Sequence, residues 1–338
     1  MGLLELIHFG RGGTVQRLVR SSCAALAALA LWATATPALA AEAPARILVP
    51  FPPGGAADLM ARILAEKLKD DLGRQVLVEN KPGAGTRLAA ETLKQAAPDG
   101  ATVLMTSVEP LLIAPMVYRS LRFNPSTDFK PISEVASFEF ALVVGPKSAY
   151  TTLAQYLQAV RADRSLALIG ITSPGTTAHF FAYDFSATTQ IDAQLVPFQG
   201  GPALITNVVG GQVPAVIDAT TVFAEQHRGN KLRILAVSSA KRLPDLPQVP
   251  TFAESGFPSL VGGGTYMLLA PKGTPDAQIQ KWNQALRKAL ALPEVRAKLE
   301  KVGYEVSPGS SPEQAAARMR AITERLAPIV KASGFKGD

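Results

Sequence analysis

Cysteine is almost missing from this chain. Cys23 is the only one in 338 residues, and it lies in an N-terminal segment that reads as a removable leader. The mature protein is therefore expected to have no disulfide, no thiolate nucleophile and no cysteine metal ligand. A chain of this length buries enough core to fold without cross-links. Histidine is scarce too: beyond the leader stand only His179 and His227, far apart and without metal-ligand spacing, so no metal is expected. The usual catalytic signatures are also missing. There is no G-x-S-x-G nucleophile elbow and no P-loop, and Gly83-Ala84-Gly85 lacks the third glycine of a dinucleotide fingerprint. No carboxylate pair stands out for glycoside chemistry, and no cofactor is expected. Aromatics make up 7% of the chain and no dense Lys/Arg run occurs, which excludes a nucleic-acid stripe.

Long hydrophobic runs are equally few. Arg11, Arg17 and Arg20 precede one apolar run at 23–32, and the segment ends at Ala38-Leu39-Ala40, a small-residue cleavage pattern. Residues 1–40 are read as a signal peptide, which places the mature chain in the periplasm. The run falls short of the roughly 20 residues that span a bilayer. Cys23 follows Ser21-Ser22 and precedes most of the run, unlike a lipid-attachment cysteine. Without the leader's three arginines and one glutamate, 34 basic and 27 acidic residues become 31 and 26, a net charge of +5. That mild positive field suits an anionic ligand and equally fits an ordinary surface.

What is present is an alternation of short apolar runs with helical periodicity. Runs at 46–51, 75–79 and 102–106 read as strands, and helical faces fall at 57–68 and 87–97 between them. After an apolar segment at 138–144 the alternation restarts. Strands are expected at 166–170, 193–197, 215–217 and 232–237, and helices at 153–160, 178–185 and 204–209. A last apolar run at 266–270 precedes three helical stretches, 276–290, 294–302 and 312–331. Alternating strands and helices imply parallel βαβ units. The closing helices have too few strands for a unit of their own and are expected to cover the first one. The expected domains are therefore 41–143 plus 264–338 and 144–263, with two crossovers and a cleft between them.

Three loops follow strands and open helices: Pro52-Pro53-Gly54-Gly55-Ala56-Ala57-Asp58, Gly170-Ile171-Thr172-Ser173-Pro174-Gly175-Thr176-Thr177-Ala178-His179, and Pro197-Phe198-Gln199-Gly200-Gly201-Pro202. Glycine lets backbone approach a ligand, and a helix N-terminus offers free N–H groups to a carboxylate. Open α/β sheets bind ligands at such strand ends. Taken singly, each loop has a plainer explanation. Asp58 complements a helix dipole, and Thr176 or Thr177 is an N-cap.

These loops belong to a longer set of segments that runs in order along the chain. Val49-Pro50-Phe51-Pro52-Pro53-Gly54-Gly55 stands with Asp58 and Ala61-Arg62. Then come Val78-Glu79-Asn80-Lys81-Pro82-Gly83-Ala84-Gly85, Pro98-Asp99-Gly100, Asp128-Phe129, and Gly175-Thr176-Thr177 with His179. Val196-Pro197-Phe198-Gln199-Gly200, Gly210-Gly211-Gln212-Val213 and Leu235-Ala236-Val237-Ser238-Ser239 with Arg242 are next. Val249-Pro250-Thr251 with Glu254 and Gly256, and Ala270-Pro271-Lys272-Gly273-Thr274-Pro275, complete the set. In this order and spacing the sequence resembles the Bug family of periplasmic solute-binding proteins, the extracytoplasmic components of tripartite tricarboxylate transporters. The resemblance spans nearly the whole mature chain.

The resemblance implies an α/β, two-domain periplasmic-binding-protein fold of the Venus-flytrap, type II-like kind, with a ligand cleft between domains. It implies that a carboxylate is held by backbone amides and bridging waters. Phe51 would pack on the ligand, with Gly54, Gly55 and Ala56 lining one wall beside Ser107 and Val108. Thr172, Ser173, Gly175, Thr176 and His179 would line the opposite wall with Phe198 and Gly200. Asp218, at the end of a further strand, either faces the cleft or serves as a satisfied helix-cap carboxylate. The chain departs from the family pattern at Ile171, Ser173 and Pro174, which stiffens that wall, and at Thr86-Arg87. Glu109 is unusual in position. It either pairs a ligand amine or simply starts a helix with Pro110 as an exposed first-turn glutamate. The implied function is a monomeric receptor that captures a small organic acid, amino acid or related small molecule for the membrane subunits of a tripartite tricarboxylate transporter. It would be no enzyme. A sensor feeding a signalling partner, and a periplasmic hydrolase built on Ser173 and His179, are the alternatives.

Overall fold

The computed structural model describes residues 43–337, so the leader, its cleavage pattern and Cys23 lie outside the described residues. Strands β1 (Ala45–Val49), β2 (Val76–Asn80) and β3 (Thr102–Ser107) alternate with helices α1 (Ala56–Leu72), α2 (Arg87–Gln95) and α3 (Glu109–Val117). A short turn of helix, α4 (Pro125–Asp128), leads into the long β4 (Phe129–Val144). Then follow α5 (Leu153–Ala162), β5 (Leu168–Ile171), α6 (Thr177–Thr189), β6 (Gln194–Pro197), α7 (Gly200–Gly210), β7 (Ala215–Ala219), α8 (Thr220–Arg228) and β8 (Arg233–Val237). The last described elements are β9 (Gly263–Pro271), α9 (Asp276–Ala291), α10 (Pro293–Lys301), β10 (Glu305–Val306) and α11 (Pro312–Ser333).

The strands form one connected sheet in the order β2-β1-β3-β9-β4-β7-β5-β6, with β8 and β10 also paired to β4. β1 runs parallel to β2 and β3, and β5 runs parallel to β6 and β7. The central strands read as apolar runs because both of their faces are covered: every residue of β3 is buried, whereas the edge strands β2 and β6 are only partly covered. β4 and β9 run antiparallel between the two parallel sets. β4 serves both: from Phe129 to Glu139 it pairs with β9, and from Phe140 to Val144 with β7 and β8. At the exchange point Gly263 faces Glu139. A Cβ on Gly263 would overlap the Phe138 carbonyl oxygen, so the two strands approach this closely only because residue 263 is glycine.

Helix α1 buries Ala57, Met60, Ala61, Leu64, Ala65, Leu68 and Leu72, a three-and-four spacing that makes one apolar stripe. It stops at Gly73, whose φ of 69° suits glycine. That stripe packs with Ile47 and Val49 of β1 and with Trp282, Leu286 and Leu290 of α9. Helix α11 lays Ala315, Met319, Ile322 and Leu326 against Leu111 and Leu112 of α3. Two of the closing helices, α9 and α11, thus pack with elements of the first part of the chain. A separate cluster, with Phe140, Tyr156, Phe181, Phe185 and Phe252, fills the space beside β5 and β7. The first half of β4 was not anticipated. Register shifts at Pro131/Ser133 and Glu134/Ala136 break its two-residue alternation, so it lacks a strand's sequence pattern.

Candidate functional site

The carboxyl ends of β1, β2 and β3 carry the first group of candidate residues. Asp58, in the first turn of α1, is 2% exposed and organises the loop before it. Its Oδ2 accepts from the Gly54 N–H and from Arg62 Nε, both at 2.9 Å, and its Oδ1 accepts from Asn80 Nδ2 at 3.0 Å. Asn80 Nδ2 also donates to the Phe51 carbonyl at 3.0 Å. The hydrogen bond from Arg62, helped by those from Gly54 and Asn80 and opposed by burial, holds the Asp58 carboxyl down at about 2. The Gly54 amide is therefore used inside the protein. Gly55, the N-cap of α1, makes no side-chain capping bond. The first-turn amides that follow have no intrahelical acceptor and point out of the helix end. The Phe51 ring lies 6.4 Å from the Tyr266 ring.

At the end of β3, the Ser107 hydroxyl donates to Glu109 Oε2 at 2.7 Å. Val108 is fully buried, and its N–H donates to the Thr265 carbonyl at 3.0 Å. Glu109 does start α3, but it is not an exposed first-turn glutamate: it is fully buried, and its Oε1 accepts from the Thr265 N–H at 2.8 Å. Burial pushes its carboxyl up, and these hydrogen bonds pull against that. Both its oxygens are occupied within the protein, tying the end of β3 to β9.

The second group lies at the carboxyl ends of β5, β6 and β7. Thr176 is the N-cap of α6; its hydroxyl accepts from the His179 N–H at 3.3 Å and donates to the Ser173 carbonyl at 2.8 Å. Gly175, with φ of 77°, donates its N–H to His179 Nδ1 at 3.1 Å. Burial lowers the His179 pKa, favouring the neutral ring that accepts this bond. The Ser173 hydroxyl donates to the Thr172 carbonyl at 2.6 Å. The Ser173 hydroxyl and His179 Nδ1 thus serve loop geometry, and the hydrogen bonds they make are not the nucleophile–base contact a hydrolase needs. Phe198 donates its N–H to the Ile171 carbonyl at 2.8 Å, joining the β6 and β5 loops. A Cβ on Gly170 would fall 2.9 Å from both the Phe198 ring and Val216, so glycine lets that ring lie on β5. Gly200 opens α7 with φ of 83°. Asp218 is 8% exposed. Its Oδ1 accepts from the Ala219 N–H at 2.6 Å, while Oδ2 is buried with no hydrogen-bond partner among the described residues.

The candidate residues therefore assemble into two groups, one at each parallel set of strands. An aromatic series runs between the sets: Tyr266 lies 5.8 Å from Phe138, Phe138 lies 5.9 Å from Phe140, and Phe140 lies 5.0 Å from Phe181. Three participants escaped the sequence reading. Asn80 and Arg62 stand within the matching segments, which was a usable signal for their role as braces. Phe335 gave none: its ring meets the His179 ring at 5.1 Å, far along the chain. Elsewhere, a shallow hollow lined by Lys94, Tyr118, Arg122 and Asp128 sits toward the other end of α3. Its charges are paired, Lys94 with Asp128 at 2.9 Å and Arg122 with Glu91 at 3.8 Å. Among the described residues there is no cluster of metal-ligating side chains, and no helix is long and apolar enough to cross a membrane.

Comparison with known proteins places these loops in context. The family model for the tripartite tricarboxylate transporter family receptor matches residues 60–335. Protein BugT of Bordetella pertussis is 33% identical over 248 residues, 73% of this chain and 76% of BugT. The solved periplasmic binding protein BugD is similar with a TM-score of 0.75 and 28% identity, over 87% of this chain and 98% of BugD. Two Rhodopseudomonas palustris structures, each 26% identical, are also similar. MatC with bound malate has a TM-score of 0.73 over 85% of this chain and 98% of its own. Rpa4515 with adipate has a TM-score of 0.77 over 87% and 98%.

Proposed function

Because the chain belongs to the tripartite tricarboxylate transporter receptor family, we propose that it captures a small carboxylate-bearing metabolite between its two loop groups and delivers it to the membrane subunits of such a transporter. Its fold is the two-domain flytrap type of the periplasmic binding proteins it resembles, and proteins of this family bind solutes and are not enzymes. The ligand sits between Phe51, Gly55, Ala56 and the end of β3 on one side and the 172–179 loop with Phe198, Gly200 and Asp218 on the other. The hinge lies where the chain crosses between 41–143 plus 264–338 and 144–263. The change of partners in β4 at Glu139 and Phe140, and the start of β9 at Gly263, support that placement. The leader-like sequence of residues 1–40 and the periplasmic binding proteins of the family support export to the periplasm.

The observation that carries this reading is the uncapped N-terminus of α1. Gly55 supplies no side-chain acceptor, so outward amides remain for an anion, with the helix dipole behind them. Malate and adipate, held by MatC and Rpa4515, are anions of that kind. A ligand that binds only the folded state raises its stability, by about 2.7 kcal/mol at a hundredfold excess over Kd. Thermal unfolding against a panel of organic acids, amino acids and neutral amides is the test. An upward shift with one or more acids is expected. No shift with any compound, and no acid released on denaturing the purified protein as judged by mass spectrometry, would overturn the reading.

A further inference from the structure

Asp218 stands out among the second loop group. It is the next-to-last residue of β7, where residue 216 pairs with Gly170 of β5 in parallel register. That register brings Asp218 level with Thr172, at the start of the 172–179 loop. One carboxylate oxygen is satisfied by the Ala219 N–H; the other is buried, in a residue only 8% exposed, and bonds to nothing among the described residues. The Thr172 hydroxyl stands near enough to favour the charged carboxylate, but it does not form a hydrogen bond of normal geometry with Oδ2. Buried polar atoms are nearly always partnered, and an orphan costs free energy unless something fills the gap. A second orphan, the Thr86 hydroxyl, lies in a left-handed turn at φ 78° on the loop after β2. Asp218 has the stronger geometry because it adjoins the 172–179 loop directly.

We propose that Asp218 Oδ2 accepts a hydrogen bond from the ligand, so that the favoured ligands are acids bearing a hydroxyl or amino group beside the carboxylate chain rather than unsubstituted dicarboxylates. The inference rests on the receptor reading above. A substituent N–H or O–H supplies the missing donor. A bare methylene leaves the oxygen orphaned inside the closed site, and sites with unpaired polar groups reject the ligand that fails to pair them. The Asp218→Asn variant keeps the shape and the Oδ1 acceptor for the Ala219 N–H but puts an NH2 donor where Oδ2 stood. It removes the acceptor and leaves the fold's own bond intact.

The test is calorimetric titration of the purified protein with length-matched triples: succinate, malate and aspartate, then glutarate, 2-hydroxyglutarate and glutamate. In at least one triple the hydroxy or amino member is expected to bind about tenfold or more tighter than the unsubstituted diacid. Asp218→Asn is expected to bring the ratio to within about threefold. Unsubstituted diacids that bind wild-type protein as tightly as their hydroxy and amino counterparts in both triples would overturn the proposal, whatever the variant does, and so decide the matter if the variant fails to fold. A preference that survives Asp218→Asn would also overturn it. In both cases the receptor reading stands, because acids still bind; binding of no acid at all would remove both.

Discussion

The two loop groups are each built around a buried aspartate, and the two aspartates are opposites. Asp58 has its oxygens filled by a backbone amide, a guanidinium and a side-chain amide, and its carboxyl is held down at about 2. Asp218 has one oxygen on its neighbour's amide and the other on nothing, and burial pushes its carboxyl up. Both lie close to helix starts after parallel strands, and both are almost fully buried. The contrast teaches that burial alone does not assign a role. Asp58 is a brace that fixes the 51–54 backbone; Asp218 is a group whose environment is incomplete.

The largest effect should come from breaking the brace. Asp58→Ala removes the acceptor of the Gly54 and Asn80 donors, and destabilisation of about 2–3 kcal/mol is expected by urea unfolding. The Arg62 hydrogen bond, the leading cause of the depressed carboxyl, is weakened by solvent because its side chain is about half exposed. The pH dependence follows from the depressed carboxyl. The stabilisation is complete above the ordinary value of 3.8 and disappears as pH falls through about 2. The difference between wild type and Asp58→Ala should therefore shrink at acid pH. A constant difference down to pH 2 would mean the carboxylate is not the brace.

On the other side, crowding replaces charge as the organising force. A Cβ at Gly170 would press on the Phe198 ring, Val216 and Leu204 at 2.9–3.2 Å. Gly170→Ala is expected to cost about 1–3 kcal/mol, as overpacking does. It should also weaken ligand binding, because the Phe198 loop must shift. Unchanged unfolding would show that this wall is soft, contrary to the contrast drawn above.

Asp218→Asn should act in the opposite sense to Asp58→Ala. A raised carboxyl means that the folded state pays for ionisation above the unfolded value of 3.8, and that the penalty is absent below it. Without ligand, the variant is expected to be more stable than wild type at pH 7, by about 1 kcal/mol or less, with the gain vanishing as pH falls toward 3.8. Loss of stability at pH 7 would place Asp218 with Asp58, as a brace.

Much of this was legible in the sequence. The parallel strands showed as apolar runs, and the helices of the closing segment showed their stripes, because burial on both faces or on one face leaves a period. The loops were visible through Pro and Gly, and an N-cap at Thr176 or Thr177 through their place before an apolar face; the structure selects Thr176. The use of the Gly54 amide was not visible, because it depends on Asn80 and Arg62 closing around Asp58 from a different strand and a different turn. The burial of Glu109 was not visible either: a first-turn glutamate beside a proline looks exposed unless β9 is known to lie against it. The first half of β4 was hidden by its register shifts, and the Phe335 contact by the distance along the chain.

The smallest effect expected is at Ser173, and it sharpens the comparison by testing whether the second wall speaks through side chains or backbone. Its hydroxyl proton is already given to the Thr172 carbonyl at 2.6 Å, and the side chain is exposed. Ser173→Ala should change stability by no more than about 0.5 kcal/mol. If the loop offers the ligand only backbone, acid affinity should stay within about threefold of wild type, a change worth about 0.6 kcal/mol. A tenfold loss would instead mean that the hydroxyl turns from Thr172 toward the ligand when the cleft is filled. The second wall would then contribute two side chains, Asp218 and Ser173, against the first wall's backbone amides, and the division between a braced wall and a discriminating wall would become sharper still.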